Sequence, residues 1–236
     1  MQQQTILARV HRSFLASHER RILIWLSARI PGIVTPDRLT LFGVAGALLC
    51  GLSYAMTSLS PGFLWLASLG LVANWFGDSL DGTLARYRKI ERPRYGFFID
   101  HTTDVVSQVF IFLGLGMSLY MRFDMACLAL MSYWMAALYT FIRALATNTF
   151  QISYWGVGPT EIRLALLAYN LALLLVGPVV QQTAYGSFSP IDIFCGVLFV
   201  VVFLSFLVMI LHEGRRLAVL EASSQDAPHP DVAGKP

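Results

Sequence analysis

Charge is what this sequence has least of. Only 13% of its 236 residues are Asp, Glu, Lys or Arg, against 56% hydrophobic, and the mean hydropathy is +0.61. That balance excludes an ordinary soluble domain, where charged residues make up about a quarter of the chain, and implies an integral membrane protein. Cysteine is also scarce: Cys50, Cys127 and Cys195 fall in separate apolar runs with no C-x-x-C pair. Neither a disulfide framework nor a zinc site is expected, and the thiols read as packed or lipid-facing. The N-terminal stretch lacks a short apolar core followed by a small-residue cleavage site, so no removable signal peptide is expected. No internal repeat is visible, and no nucleic-acid partner is expected at a net charge of only +3.

What is present is a series of long apolar runs. Residues 5–30 mix Ile6, Leu7, Phe14, Ile22 and Trp25 with arginines, too charged to span a bilayer, and read as an amphipathic helix on the membrane surface. Pro31-Gly32 and Thr35-Pro36-Asp37 then mark a helix boundary. Six runs follow, at 39–57, 62–84, 97–121, 124–147, 160–182 and 190–212, each near the ~20 residues that a spanning helix requires. Pro178 is expected to kink or end the fifth. The fold class expected is all-α and integral to the membrane, with six transmembrane helices preceded by an amphipathic juxtamembrane helix. Its parts are a surface segment over 1–34, a membrane domain over 35–216 and a disordered tail over 217–236. Trp25, Trp65, Trp75, Trp134 and Trp155 read as interface anchors or packing.

Basic residues set the orientation. With six spans, the N-terminal segment, the 85–96 and 148–163 loops and the tail share one side and hold most of the 17 Lys and Arg, while Arg122 opposes them. The positive-inside rule places both termini, and the loop joining the second and third runs, on the cytoplasmic face of a cytoplasmic or inner membrane.

Against this apolar background stand four acids: Asp78, Asp81, Asp100 and Asp104. An ionised carboxylate near the bilayer centre costs at least ~2.5 kcal/mol unless something compensates it. At 3.6 residues per turn Asp78, Asp81, Gly82 and Ala85 form one narrow helix face, and Asp100 and Asp104 share a face with Gly96 and Ser107. Two hairpin-connected helices meeting along these stripes would bring four oxygen donors into one pocket, the ligand type that Mg²⁺ or Mn²⁺ prefers. Two such ions would balance four carboxylates, small residues leave room for bridging phosphates, and loop arginines would attract an anionic substrate. The other reading is that the acids pair with Arg86, Arg88 or Arg143 as structural ion pairs.

The pattern Asp78-x-x-Asp81-Gly82-x-x-Ala85-Arg86, followed by Gly96-x-x-x-Asp100-x-x-x-Asp104, fixes eight positions over 27 residues. It resembles the signature of the CDP-alcohol phosphotransferase family, integral membrane enzymes of phospholipid synthesis with six spans. Nine residues separate Arg86 from Gly96, where the usual pattern has eight, and the extra one falls in the loop, where length is cheaply absorbed. The resemblance implies that Asp78, Asp81 and Asp100 ligate a two-metal Mg²⁺ or Mn²⁺ site, with Asp104 also at the metals and a candidate general base. Gly82, Ala85 and Arg86 would lie against the CDP moiety of a CDP-linked donor, and Gly96 would permit close helix approach. An acceptor hydroxyl, on a lipid or a small alcohol, would attack the phosphorus and release CMP by direct displacement. A homodimer surrounded by membrane lipids is the expected assembly.

His101 precedes Asp104 by three residues and could act as base, orient Asp104 or merely pack. Phe98-Ile99-Asp100-His101 and Gly158-Pro159-Thr160-Glu161 are similar to segments of the choline/ethanolamine phosphotransferases, which use a CDP-amino-alcohol and diacylglycerol. Asp37 lies where many family members have Asn, while Thr40 is retained and is a candidate binding residue. Glu161 could contact a cationic head group or sit favourably at a helix N-terminus, and Arg143 could hold a phosphate or neutralise the acids. Transfer from a CDP-amino-alcohol to a lipid is the reading preferred on these segments, with CDP-diacylglycerol plus a small alcohol as its alternative. A divalent-metal transporter is the alternative of another class, although its acids should line a path across the bilayer instead of gathering at one face. A silent scaffold would have no use for four costly charges.

Overall fold

The computed structural model describes residues 9–10, 16–147, 150–151, 158–179, 181–183 and 186–225. Residues 1–8 and 11–15 of the surface segment, Trp155 and residues 226–236 of the tail lie outside the described residues. The described chain is helical apart from two short strand pairings, Arg9–Val10 with Phe150–Gln151 and Gln181–Thr183 with Gly186–Phe188.

The helices are α1 (Ala16–Ser27), α2 (Pro36–Ala55), α3 (Phe63–Tyr87), α4 (Pro93–Gly116), α5 (Phe123–Thr147), α6 (Pro159–Val176) and α7 (Pro190–Gln225). Four of them begin at a proline, whose missing N–H costs nothing in the first turn and whose φ is already helical. At α2 the Thr35 hydroxyl also accepts from the Arg38 N–H at 3.3 Å. α3 ends with Lys89 at φ 56, and the bonds Ile90 N–H to Ala85 carbonyl (3.0 Å) and Lys89 N–H to Arg86 carbonyl (3.1 Å) close a Schellman turn. α6 stops at Val176 because Gly177 adopts φ 81 and Pro178 cannot continue the ladder. The apolar run expected to reach 182 is therefore shorter as a helix, while α7 runs on to Gln225, into the segment read as tail.

Among the described residues, four stretches are long and apolar enough to cross a membrane: Pro36–Ser58, Phe123–Ala146, Pro159–Val176 and Pro190–Val219. α3 and α4 have 25 and 24 residues, but the carboxylates they carry lower their hydropathy. Apolarity thus supports four spanning helices where the sequence reading expected six. The outward side chains of α7, including Phe194, Val197, Val201 and Leu204, are more than half exposed and need lipid or another apolar cover. The chain is an integral membrane protein.

α2 is the helix on which α3 and α4 both pack. It lies closely along α3 and α4, whereas α3 and α4 touch each other little. This corrects the expectation that the two acidic stripes would pack directly together. The physical reason lies in the glycines of α2: a Cβ on Gly77 would collide with the Gly43 backbone, and one on Gly114 with the backbone of Gly51. Only glycine allows these two crossings, so the backbones approach at α2 and leave the acidic ends of α3 and α4 apart. Farther along, Tyr54, Leu64, Leu71 and Leu115 are fully buried, and the Tyr54 hydroxyl donates to Asn170 Oδ1 at 2.9 Å while Asn170 Nδ2 donates to Ser68 Oγ at 3.0 Å. This buried polar chain fixes α6 against α2 and α3.

Candidate active site

The end of α3 carries Asp78 and Asp81, and the start of α4 carries Asp100 and Asp104. The four remain electrostatic neighbours although their helices barely touch: Asp81 feels Asp78 and Asp100, and Asp104 feels Asp78, Asp100 and Arg163. Asp81 is 8% exposed. Its carboxylate accepts from the Thr40 hydroxyl of α2 and from the Gly82 N–H. The α2–α3 glycine contact is what brings Thr40 within reach, so packing and site share one cause.

Asp78 is held by a residue that the sequence reading treated as loop charge. Arg163 of α6 donates from Nη2 to Asp78 Oδ2 at 2.8 Å and from Nε to Asn74 Oδ1 at 2.9 Å. Asn74 in turn donates from Nδ2 to the Gly43 carbonyl at 3.0 Å. One guanidinium therefore spans two side chains a turn apart on α3, the fixed fork for which arginine is suited. Tyr133 of α5 hydrogen-bonds Gln108 and lies within electrostatic range of Asp104, Arg163 and Asp78. The spacing of Asn74, four residues before Asp78, could have placed it on the acidic stripe; nothing local to Arg163 or Tyr133 indicated their role.

The other candidates fall into place differently. His101 packs its ring against Phe97 (centroids 4.2 Å apart) and Phe141 (5.0 Å). Its Nδ1 lies 2.7 Å from the Phe97 carbonyl and 3.8 Å from Asp100 Oδ2. A carbonyl can only accept, so Nδ1 carries the proton and a neutral ring has its lone pair on Nε2. Arg86 lies over Gly82, with Nη1 3.4 Å from where a Cβ would be, and Nη2 donates to Thr83 Oγ1 at 3.2 Å; Ala85, one residue before it, is half-buried. Gly96 faces open space: a Cβ there would meet nothing within 4 Å. Among the described residues no helix approaches Gly96 closely, and the tight crossings lie on α2.

Arg143 lies 3.8 Å from Glu213 of α7 and forms an ion pair with it. Glu161 accepts from the Gly158 N–H at 2.9 Å and caps α6. Arg88 donates to the carbonyls of Val34, Ile30 and Pro31, the latter two at 3.0 Å, and Arg92 pairs with Asp37. The Asp37 carboxylate holds the Arg92 guanidinium above its ordinary pKa. Two of the arginines expected to attract substrate thus tie the loop to the start of α2, and Asp37 belongs to that tie.

Among the described residues, no three of His, Cys, Asp and Glu stand together as a ready ligand group for a metal ion. The reason is visible at two of the acids: Asp81 is turned to Thr40 and Gly82, and Asp78 to Arg163. The donor chemistry nevertheless fits a divalent cation, since four carboxylates neighbour one another with Arg163 as the guanidinium paired among them.

A family model described as CDP-alcohol phosphatidyltransferase matches residues 33–211. The chain belongs to this family. The matched span runs from the turn before α2 to the body of α7 and so contains every helix that contributes to the acidic cluster. The chain is also similar to a phosphatidylinositol phosphate synthase of Cutibacterium acnes (strain DSM 16379 / KPA171202), 36% identical over 85 residues. That match covers 36% of this chain and 38% of the relative.

Proposed function

We propose that this CDP-alcohol phosphatidyltransferase family member moves a substituted phosphate from a CDP-linked donor to an alcohol hydroxyl and releases CMP. The observation that carries this reading is the clustering of Asp78, Asp81, Asp100 and Asp104 around the Asp78–Arg163 pair at one end of α3 and α4. A transporter would need acids along a path, and these four lie together.

The acceptor oxygen forms a bond to the donor phosphorus, the bond from that phosphorus to the bridging oxygen breaks, and the electron pair leaves with CMP. The acceptor proton goes to Asp104 or to Nε2 of His101, whose Nδ1 proton is held by the Phe97 carbonyl. Asp78, Asp81, Asp100 and Asp104 are the residues that would hold Mg²⁺ or Mn²⁺, and such ions neutralise the charge that develops on the diphosphate. Thr40 orients Asp81, and Arg163 with Asn74 orients Asp78. Gly82, Ala85, Arg86 and the open space at Gly96 are assigned to the CDP moiety. Six spanning helices, a cytoplasmic site and a homodimer complete the reading; the loop charges support the orientation, and the resemblance supports the pairing.

For the donor, phosphatidyl transfer from CDP-diacylglycerol to a polar alcohol is favoured over the CDP-amino-alcohol reading. Glu161, the acid that a cationic head group would engage, is turned to the Gly158 N–H, and the charged group of α6 that does enter the cluster is the Arg163 cation. The name of the Cutibacterium acnes relative agrees with that choice. Purified protein offered each donor with matched acceptors, under Mg²⁺ and under Mn²⁺, tests it by release of CMP. Turnover of CDP-diacylglycerol alone is expected. Turnover of a CDP-amino-alcohol with diacylglycerol would reverse the assignment, and metal uptake by proteoliposomes with no CMP from either donor would replace it with transport.

A further inference from the structure

Glu19 is the acid in the first turn of α1, and the reaction above does not use it. One of its oxygens, Oε1, accepts from three side chains: Trp75 Nε1 at 2.8 Å, Thr160 Oγ1 at 2.9 Å and Ser79 Oγ at 3.2 Å. Trp75 and Ser79 lie one turn apart on α3 with Asp78 between them, and Thr160 lies in the first turn of α6, three residues before Arg163. The contact between α3 and α6 is therefore crossed twice in the same turn, once by Asp78 and Arg163 and once by Glu19. A surface helix seated by apolar contact alone would keep its acids in water, because an inward carboxylate loses hydration. Three donors on one oxygen restore it, and charge-assisted bonds of this kind are the stronger class. The same helix turns Ile22, Ile24 and Trp25 outward.

We propose that Glu19 is a positioning residue: it clamps the first turn of α6 to α3 and so holds the Arg163 guanidinium on Asp78 and Asn74. The clamp stands on the hydrogen bonds themselves, while its kinetic consequence rests on the phosphotransfer reading of the site. α1 thereby becomes part of the catalytic framework as well as a membrane-surface helix.

The test uses the full chain in lipid nanodiscs, with hydrogen exchange of the first turn of α6 and CMP release measured on Glu19→Ala and Glu19→Gln. Glu19→Ala should speed exchange in that turn and lower kcat/KM by about 10- to 100-fold, the usual cost of losing a partner that orients a site. Glu19→Gln, whose amide oxygen accepts the same bonds, should keep both within about threefold of the parent. Unchanged exchange in Glu19→Ala overturns the clamp. Faster exchange with unchanged kcat/KM overturns its positioning role, as does an equal loss in both variants matched by an equal fall in Tm. Should Glu19→Ala not fold, Thr160→Val makes the same comparison by removing one donor. If the parent protein releases no CMP from either donor, the phosphotransfer reading fails and exchange alone still decides the clamp.

Discussion

Arg163 on α6 and Asp78 on α3 form an ion pair at 2.8 Å, with side chains 11% and 22% exposed. The same guanidinium bonds Asn74. Removing it leaves a carboxylate in a confined place with its principal cation gone, a loss worth about 3–5 kcal/mol for buried pairs. Arg163→Ala should therefore lower kcat/KM by at least about 100-fold. Arg163→Lys, which supplies charge without the fork, should recover only part of it. CMP release measured across donor concentrations from below to above KM, with Tm measured alongside, separates this from unfolding.

Thr40 reaches Asp81 from a different helix. Thr40→Val keeps the shape and removes the donor, and should reduce activity by about 10-fold through loss of Asp81 orientation. Thr40→Ser, which restores the hydroxyl, should return to within about twofold of the parent. A raised requirement for Mg²⁺ in Thr40→Val, absent in Thr40→Ser, is the accompanying sign.

His101 and Asp104 compete for the proton. Loss of a general base costs about 10²- to 10⁴-fold. With Nδ1 of His101 committed to the Phe97 carbonyl and its ring packed against Phe97 and edge-on to Phe141, the imidazole is fixed in orientation. Asp104→Asn should abolish measurable turnover, since that residue serves as ligand or base in either case. His101→Ala should leave measurable activity if Asp104 is the base, and a loss of 10²-fold or more assigns the proton to His101.

Gly77 tests the link between packing and site. A Cβ there would strike the Gly43 backbone and the Leu39 carbonyl, neither of which can rotate away. Gly77→Ala should destabilise by about 1–3 kcal/mol through overpacking and lower activity further by separating Thr40 from Asp81. Gly96→Ala, where a Cβ meets nothing within 4 Å, should leave Tm within a degree or so of the parent, since surface changes are usually within about ±0.5 kcal/mol.

Much of this arrangement was legible in the sequence. Asp78, Asp81, Asp100 and Asp104 declare themselves because charge in an apolar run is costly, and Thr35-Pro36-Asp37 marks the start of α2. What the helical stripes left open was which helix would meet which. Periodicity places side chains on a face and says nothing about the partner, so α3 and α4 were expected to pack together, whereas the glycines of α2 draw both helices to itself. Arg163, Tyr133 and Glu19 went unseen for the same reason: each meets α3, α4 or α6 from an element distant in sequence. Arg88 and Arg92 read as free loop charge because a sequence counts charges without showing their partners, here the carbonyls before α2 and Asp37. Spanning helices were counted from run length, and the acids that make the site are the residues that lower the apolarity of α3 and α4.

The claim at the centre of this account is that the four carboxylates act as one site for transfer from a CDP-linked donor. The most direct measurement is CMP formation by the purified protein from CDP-diacylglycerol and a polar alcohol, before and after chelation, and for Asp78→Asn, Asp81→Asn, Asp100→Asn and Asp104→Asn. The account predicts CMP formation that chelation abolishes and Mg²⁺ or Mn²⁺ restores, with each substitution lowering it by at least about 100-fold at unchanged fold. CMP formation that survives chelation, or that survives loss of any two of the four carboxylates, would contradict it.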